Sequence, residues 1–449
     1  MSWAVFEWAR NPYVLLMVIY VFAPYLTNVV LGGGARGQTI FSSWQTLSGA
    51  IVALTSPFLG AAADRMGHRK PLLALTVAVM APAVFFQYWA LPHQAALPLW
   101  AIQAIAITAG VSYSWTEVLH NSMLTLAAKP NQVSQVSGLG LALGNAGGLL
   151  VLIFVLFAFA LPGRIPIPGL PDHPLFGLNP AAFEPQRIVA PIVAVWLVVF
   201  AVPLFLFTPD RNPSGESLIK AIYHGVGNVA RTILKLFREF RNVGLYLIAR
   251  MIYVDGTTGV IVFGGIYASL ALHWGFLEML AFGVILSIFA VAGGFVSAWL
   301  DDWLGAKRAV LIEVIVTLLC LLIEVSITPT SMFFVIAADP SQHVWAGPIF
   351  RTAPEVLYLA SSIVIAISIT ATYASSRALM AHLSPPGMEG ELFGLYALSG
   401  SASAWLAPLM VTVFTAVYQS PRAGFGAIGL LLIVGFLLLV FVKPPPRPV

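Results

Sequence analysis

Apolar runs and short polar breaks alternate along the whole chain. Twelve segments, at about 12–31, 41–63, 71–90, 98–122, 131–161, 187–208, 243–271, 277–299, 309–328, 355–380, 391–418 and 422–442, are each dominated by apolar residues. Each is long enough, as a helix, to cross roughly 30 Å of hydrocarbon. Since the lipid interior leaves backbone groups no water to bind, runs of this length predict helices. The fold class expected is therefore all-α and integral to the membrane, with twelve transmembrane helices in two six-helix bundles. Residues 1–208 form the first bundle, 209–242 a linker, and 243–449 the second.

Composition agrees: 59% of the 449 residues are hydrophobic and 9% are charged. The single cysteine, Cys320, excludes an internal disulfide and a cysteine metal cage. Residues 1–11 lack the short apolar core and cleavage site of a secretory signal, so the first span is expected to direct its own insertion. Of the 22 Lys and Arg, sixteen fall at the termini and in the loops after even-numbered spans, five fall in the other loops, and Arg250 falls inside a span. That asymmetry is expected to put both termini on the cytoplasmic side and does not mark a nucleic-acid partner. The stretch 162–186 holds seven prolines and is expected to be an extended, helix-poor cap on the outer side. In 209–242, apolar residues from Leu218 to Phe240 recur at helical spacing among Lys and Arg, the pattern of an amphipathic helix lying on anionic lipid. Gly140, Gly144 and Gly148 stand four residues apart in the fifth span, a stripe for close helix packing.

Charges inside spans are costly and mark function unless they are paired. Glu117 and His120, three apart, share a helix face near Asn121 and could hold and release a proton. Asp255 lies near mid-membrane and is followed by Gly-Thr-Thr-Gly, a composition expected to loosen the helix beside Tyr253 and Thr258. Arg250, five residues earlier, points elsewhere and is expected to have a separate partner. Glu313, Thr317, Cys320 and Glu324 fall on one stripe of the ninth span, the pattern of a proton path, but Glu313 and Glu324 lie toward its two ends and are expected to reach the interfaces. No phosphate loop, zinc-protease or serine-hydrolase motif is present, which argues against an enzyme, a cofactor or a catalytic metal.

The hairpin Gly60-Ala-Ala-Ala-Asp64-Arg65-Met-Gly67-His-Arg69-Lys70 resembles the loop between spans two and three of the major facilitator superfamily. Asp302, Gly305, Lys307 and Arg308 repeat Asp64, Gly67, Arg69 and Lys70 at an offset of 238 residues. Further stretches, Phe6–Tyr13, Ser137–Gly148 (with Asn145), Ala249–Tyr267 and Leu392–Gly400, are similar to the vacuolar amino-acid effluxer-like, or autophagy-permease-like, branch of that superfamily in its bacterial form. The resemblance implies a monomeric secondary transporter with a central cavity lined by spans one, four, seven and ten. It further implies export of neutral amino acids by alternating access, coupled to protons or another ion, with membrane lipid as the only other partner. Arg250 would then attract a carboxylate and Asp255 an ammonium, with Trp44, Tyr253 or Tyr373 against the side chain. Asp64, Arg65 and Arg69 would gate by meeting the start of span eleven near Glu391. The lysine that the resemblance places after Ser399-Gly400 is Ser401 here. Alternatives are a multidrug, lipid or siderophore effluxer, and a non-transporting sensor or assembly factor.

Overall fold

The computed structural model describes residues 1–128, 132–166, 168–210, 212, 236, 238–384 and 389–443, with backbone alone at 61–62, 64–66, 125, 133–134, 389–391, 393–394 and 397. Nearly all of it is helix. In chain order the helices are α1 (Ser2–Val30), α2 (Gly34–Met66), α3 (Lys70–Trp89), α4 (Leu99–Ser122), α5 (Gln135–Ala160) and α6 (Glu184–Phe207). They continue with α7 (Arg241–Ala271), α8 (Phe276–Leu304), α9 (Ala306–Ser326) and α10 (Ala353–Leu383). The eleventh span is split into α11 (Glu389–Ala402) and α12 (Leu406–Tyr418), and α13 (Pro421–Phe441) is the last. Ten of these spans meet length and hydropathy criteria for crossing a membrane. α2 and α4, with 33 and 24 residues, are long enough but more polar, and they complete the twelve expected.

Contacts divide the chain into two units, Met1–Gly33 with Leu47–Thr232, and Gly34–Thr46 with Ile233–Val449. In the first, α1 begins about ten residues before the apolar run does, and Trp3, Phe6, Ala9 and Arg10 are buried. α5 lies against this early part of α1 because its glycines leave room. A Cβ on Gly140 would stand 2.8 Å from the Trp3 ring, and one on Gly147 would stand 2.9 Å from the Trp8 carbonyl. The stripe thus packs helices, as expected. In the second unit the first turns of α2 are held by Gln38, whose Nε2 donates to Thr415 Oγ1 at 2.8 Å and to the Pro421 carbonyl at 3.0 Å.

The repeated hairpins agree in detail. Gly67 and Gly305, 238 residues apart, both take positive φ (82° and 84°), a conformation in which a side chain is strained. Lys70 Nζ donates to the Phe205 carbonyl near the end of α6, and Lys307 Nζ to the Val440 carbonyl near the end of α13, each at the negative end of its helix. Among the described residues of 162–183, the helical pieces are short turns, Leu175–Gly177 and Pro180–Ala182, in keeping with the prolines. Most of the amphipathic linker expected at 209–242 lies outside the described residues. Its first acid, Asp210, caps α3: the carboxylate accepts the backbone N–H of Arg69 at 3.0 Å and of Lys70 at 2.9 Å.

Candidate functional site

The first unit gathers four ionisable side chains where α1 meets α4. Arg10 makes a two-pronged contact with Glu7, Nε to Oε2 at 2.9 Å and Nη2 to Oε1 at 3.1 Å. Its Nη1 lies 3.5 Å from Glu117 Oε2, and its guanidinium stands 5.0 Å from the centre of the Tyr113 ring. His120 is fully buried. It stacks on Trp3 with ring centres 4.2 Å apart, and the Trp3 indole N–H donates to the His120 carbonyl at 2.8 Å. The partners of its two ring nitrogens determine its proton count. Nε2 is 2.8 Å from the Trp3 carbonyl, which can only accept, so Nε2 carries hydrogen. Nδ1 is 3.1 Å from Glu7 Oε1. Either Nδ1 also carries hydrogen beside a carboxylate, or Glu7 is protonated and donates to it; in both cases Glu7 and His120 share one proton.

Glu117 and His120 therefore do not pair directly, as their spacing suggested. Glu7 and Arg10 stand between them, so that a chain of charge runs from buried His120 to Glu117, whose side chain is 48% exposed. Both intermediaries lie in the Phe6–Tyr13 stretch, which hydropathy places outside the membrane because its charges interrupt the apolar run. Asn121 is exposed, and Asn145 accepts from Asn11 Nδ2 at 3.3 Å.

In the second unit the charges of α7 grip the divided eleventh span. Arg250 Nη1 donates to the Tyr396 carbonyl at 2.7 Å and to Ser399 Oγ, and its guanidinium lies 3.5 Å from the centre of the Tyr396 ring. Asp255 Oδ2 accepts the Ala407 backbone N–H at 2.6 Å. The cation thus sits at the carbonyl end of α11 and the anion at the amide end of α12, each matching the local helix dipole. Separate partners were expected, and the structure provides them. The loosened helix, however, is not where composition put it. α7 is continuous through Gly256 and Gly259, whose missing side chains admit Leu432 and Ala407, while the eleventh span opens at Ser403–Trp405. Ser401 lies just ahead of that opening.

Tyr253 and Trp44 are buried, at 0% and 4% exposure; Tyr253 Oη meets Ser376 Oγ at 2.8 Å. Thr258 Oγ1 and Tyr373 Oη, 2.8 Å apart, form an exposed hydroxyl pair. Glu313 and Glu324 do not reach the interfaces; they are 2% and 1% exposed and turn to hydroxyls of α10, Ser375 and Ser362. Of the gating residues, Gly60 lies within 4 Å of Val118 if given a Cβ, Arg69 is buried, and Asp302 and Arg308 are exposed. The side chains of Asp64, Arg65 and Glu391 lie outside the described residues.

The family described as "Vacuole effluxer Atg22 like" matches residues 28–445. The "Uncharacterized MFS-type transporter YxiO" of Bacillus subtilis is 20% identical over 98% of this chain and 94% of its own. Autophagy-related protein 22 of Coccidioides immitis is 24% identical over 57% of this chain and 42% of its own length, so the chain spans under half of that fungal relative. Among solved structures, a nucleoside transporter, NupG, superposes with a TM-score of 0.64 at 14% identity, covering 98% of each chain. The xylose transporter XylE of E. coli, in an inward-open conformation, superposes with a TM-score of 0.58 at 12% identity over 99% of this chain and 95% of that one. Twelve helices, matched hairpins and these likenesses agree: the chain belongs to the Atg22-like effluxer family of major facilitator transporters.

Proposed function

We propose that this transporter exports small zwitterionic solutes, neutral amino acids foremost, across a bacterial inner membrane in exchange for protons. The observation that carries this reading is the Glu117–Arg10–Glu7–His120 chain, open to solvent at one end and holding a shared proton at the other. An incoming ammonium group pairs with Glu117 and takes from Arg10 one of its two anionic partners. Arg10 then leans wholly on Glu7, and a carboxylate so engaged holds the proton shared with His120 less firmly. Solute and proton thus compete for one set of anions, which is the requirement for exchange. Each binds the state it favours, and the differential affinity drives the change of access.

Asn11 and Asn145, in the same unit as this chain of charge, supply neutral hydrogen bonds suited to a solute that carries both charges. Arg250 and Asp255 act on the solute at one remove, by holding the two halves of the eleventh span. The hairpin residues Asp64, Arg65, Asp302 and Arg308 serve as gates, and both termini are cytoplasmic.

Proteoliposomes loaded with a radiolabelled neutral amino acid test the reading. Efflux should accelerate when protons are supplied outside, and Glu117→Gln should raise the solute concentration needed for half-maximal efflux about tenfold, the effect of roughly 1.4 kcal/mol. If none of the twenty amino acids moves, the substrate assignment fails. If one moves without regard to the proton gradient, the exchange mechanism fails.

A further inference from the structure

α8, α9 and α10 enclose an acidic cluster that the exchange reaction above does not use. Glu313 on α9 is 2% exposed, and its Oε1 accepts from the Ser375 hydroxyl of α10 at 2.9 Å. Ser375 Oγ in turn lies 2.9 Å from Ser297 Oγ of α8. One turn beyond Ser297 stands Asp301, whose carboxyl is within reach of the same Ser375 hydroxyl and near enough for its charge to act on Glu313. The Ser375 hydroxyl has one hydrogen and gives it to Glu313. Among the described residues, Glu313 Oε2 and Asp301 Oδ1 are both buried and have no hydrogen-bond partner.

Among the described residues, the positive charges near these acids are exposed or engaged elsewhere. His382 on α10 acts on Asp301 from an exposed position, beside the like charge of Asp302. Lys307 is engaged with the Val440 carbonyl, and Arg308 is exposed. Among the described residues no Lys, Arg or His forms an ion pair with Asp301 or Glu313. A carboxylate as buried as Glu313, with a second acid near it, does not remain ionised without a counter-charge.

We propose that Asp301 and Glu313, with the hydroxyls of Ser375 and Ser297, bind one monovalent cation, a proton or Na⁺, between α8, α9 and α10. The site belongs to the second half alone, because the positions 238 residues earlier are Ala63 and Leu75. It also stands one turn from Gly305, so the cation bears directly on the turn of the second hairpin.

The test needs no substrate, so its failure is distinguishable from failure of the exchange reading. Full-length protein in lipid nanodiscs is heated in NaCl and in choline chloride at equal ionic strength, and its infrared difference spectrum is recorded between mildly acidic and mildly alkaline buffer. Bound Na⁺ raises Tm by several degrees over choline. A bound proton appears as a buried carboxylic-acid band. Whichever response is present should be lost in Glu313→Gln or Asp301→Asn and kept in Glu278→Gln, which alters an acid at the opposite end of α8. Wild-type protein that shows neither response overturns the proposal, and so does a response that survives in both variants. Should the two variants fail to fold, Ser375→Ala, which removes a neutral ligand, decides: an unchanged response overturns the site and a weakened one supports it.

Discussion

α1 and α7 each carry an acid and a base, and they balance them differently. On α1, Glu7 and Arg10 are three residues apart and pair with each other, then with His120 and Glu117 of α4. On α7, Arg250 and Asp255 are five apart and each takes an end of a broken helix. Charge matched by charge can be rearranged, because a proton or a solute ammonium can replace any cation in the set. Charge matched by backbone dipoles has no such substitute. The first arrangement suits a binding and coupling site, and the second suits a mechanical one. The difference teaches that a buried charge is no mark of chemistry until its partners are known.

That contrast can be broken experimentally. Glu7→Ala should cause the largest effect, destabilising the protein by about 3–5 kcal/mol by leaving the His120 ring without an anion and Arg10 with only the longer contact to Glu117; the fall in Tm measures it. A double-mutant cycle of Glu7→Gln with His120→Gln sharpens it, with a coupling of at least about 1 kcal/mol expected for a shared proton. Asp255→Ala removes a helix cap and should cost about 1–2 kcal/mol. Transport by that variant should slow while its dependence on the proton gradient stays as in the wild type; loss of the gradient response would erase the distinction drawn here. Arg250→Lys keeps the charge but loses the flat guanidinium over Tyr396, at about 1 kcal/mol. Glu117→Gln should change stability by no more than about 0.5 kcal/mol, since the residue is half exposed and its ion pair is long, although solute affinity falls.

Much of the architecture was legible beforehand. Hydropathy located twelve helices, proline content located the helix-poor loop, and the 238-residue offset located two turns whose glycines both take positive φ. The site was legible only in part. Glu117, His120, Arg250 and Asp255 stood out as charges within apolar runs, whereas Glu7 and Arg10 were hidden because they sit at the edge of one. Tyr253 looked like a solute contact and is instead packed against Gly435, where a Cβ would stand 2.6 Å from its own. The opening at Ser403–Trp405 does have a signal that composition alone understated: Pro408 can give no hydrogen to the Ala404 carbonyl four residues earlier, and Gly400 lies just upstream.

The sequence by itself determined which segments cross the lipid, where the chain must turn, and which side chains carry charge, because transfer free energy and glycine's conformational freedom are properties of single residues and their near neighbours. Only the tertiary structure decided whose charge answers whose. Glu7 meets His120 across 113 positions and Asp255 meets Ala407 across 152. Such pairings arise from how helices pack, which depends on the summed shapes of many side chains and leaves no local trace in the order of residues.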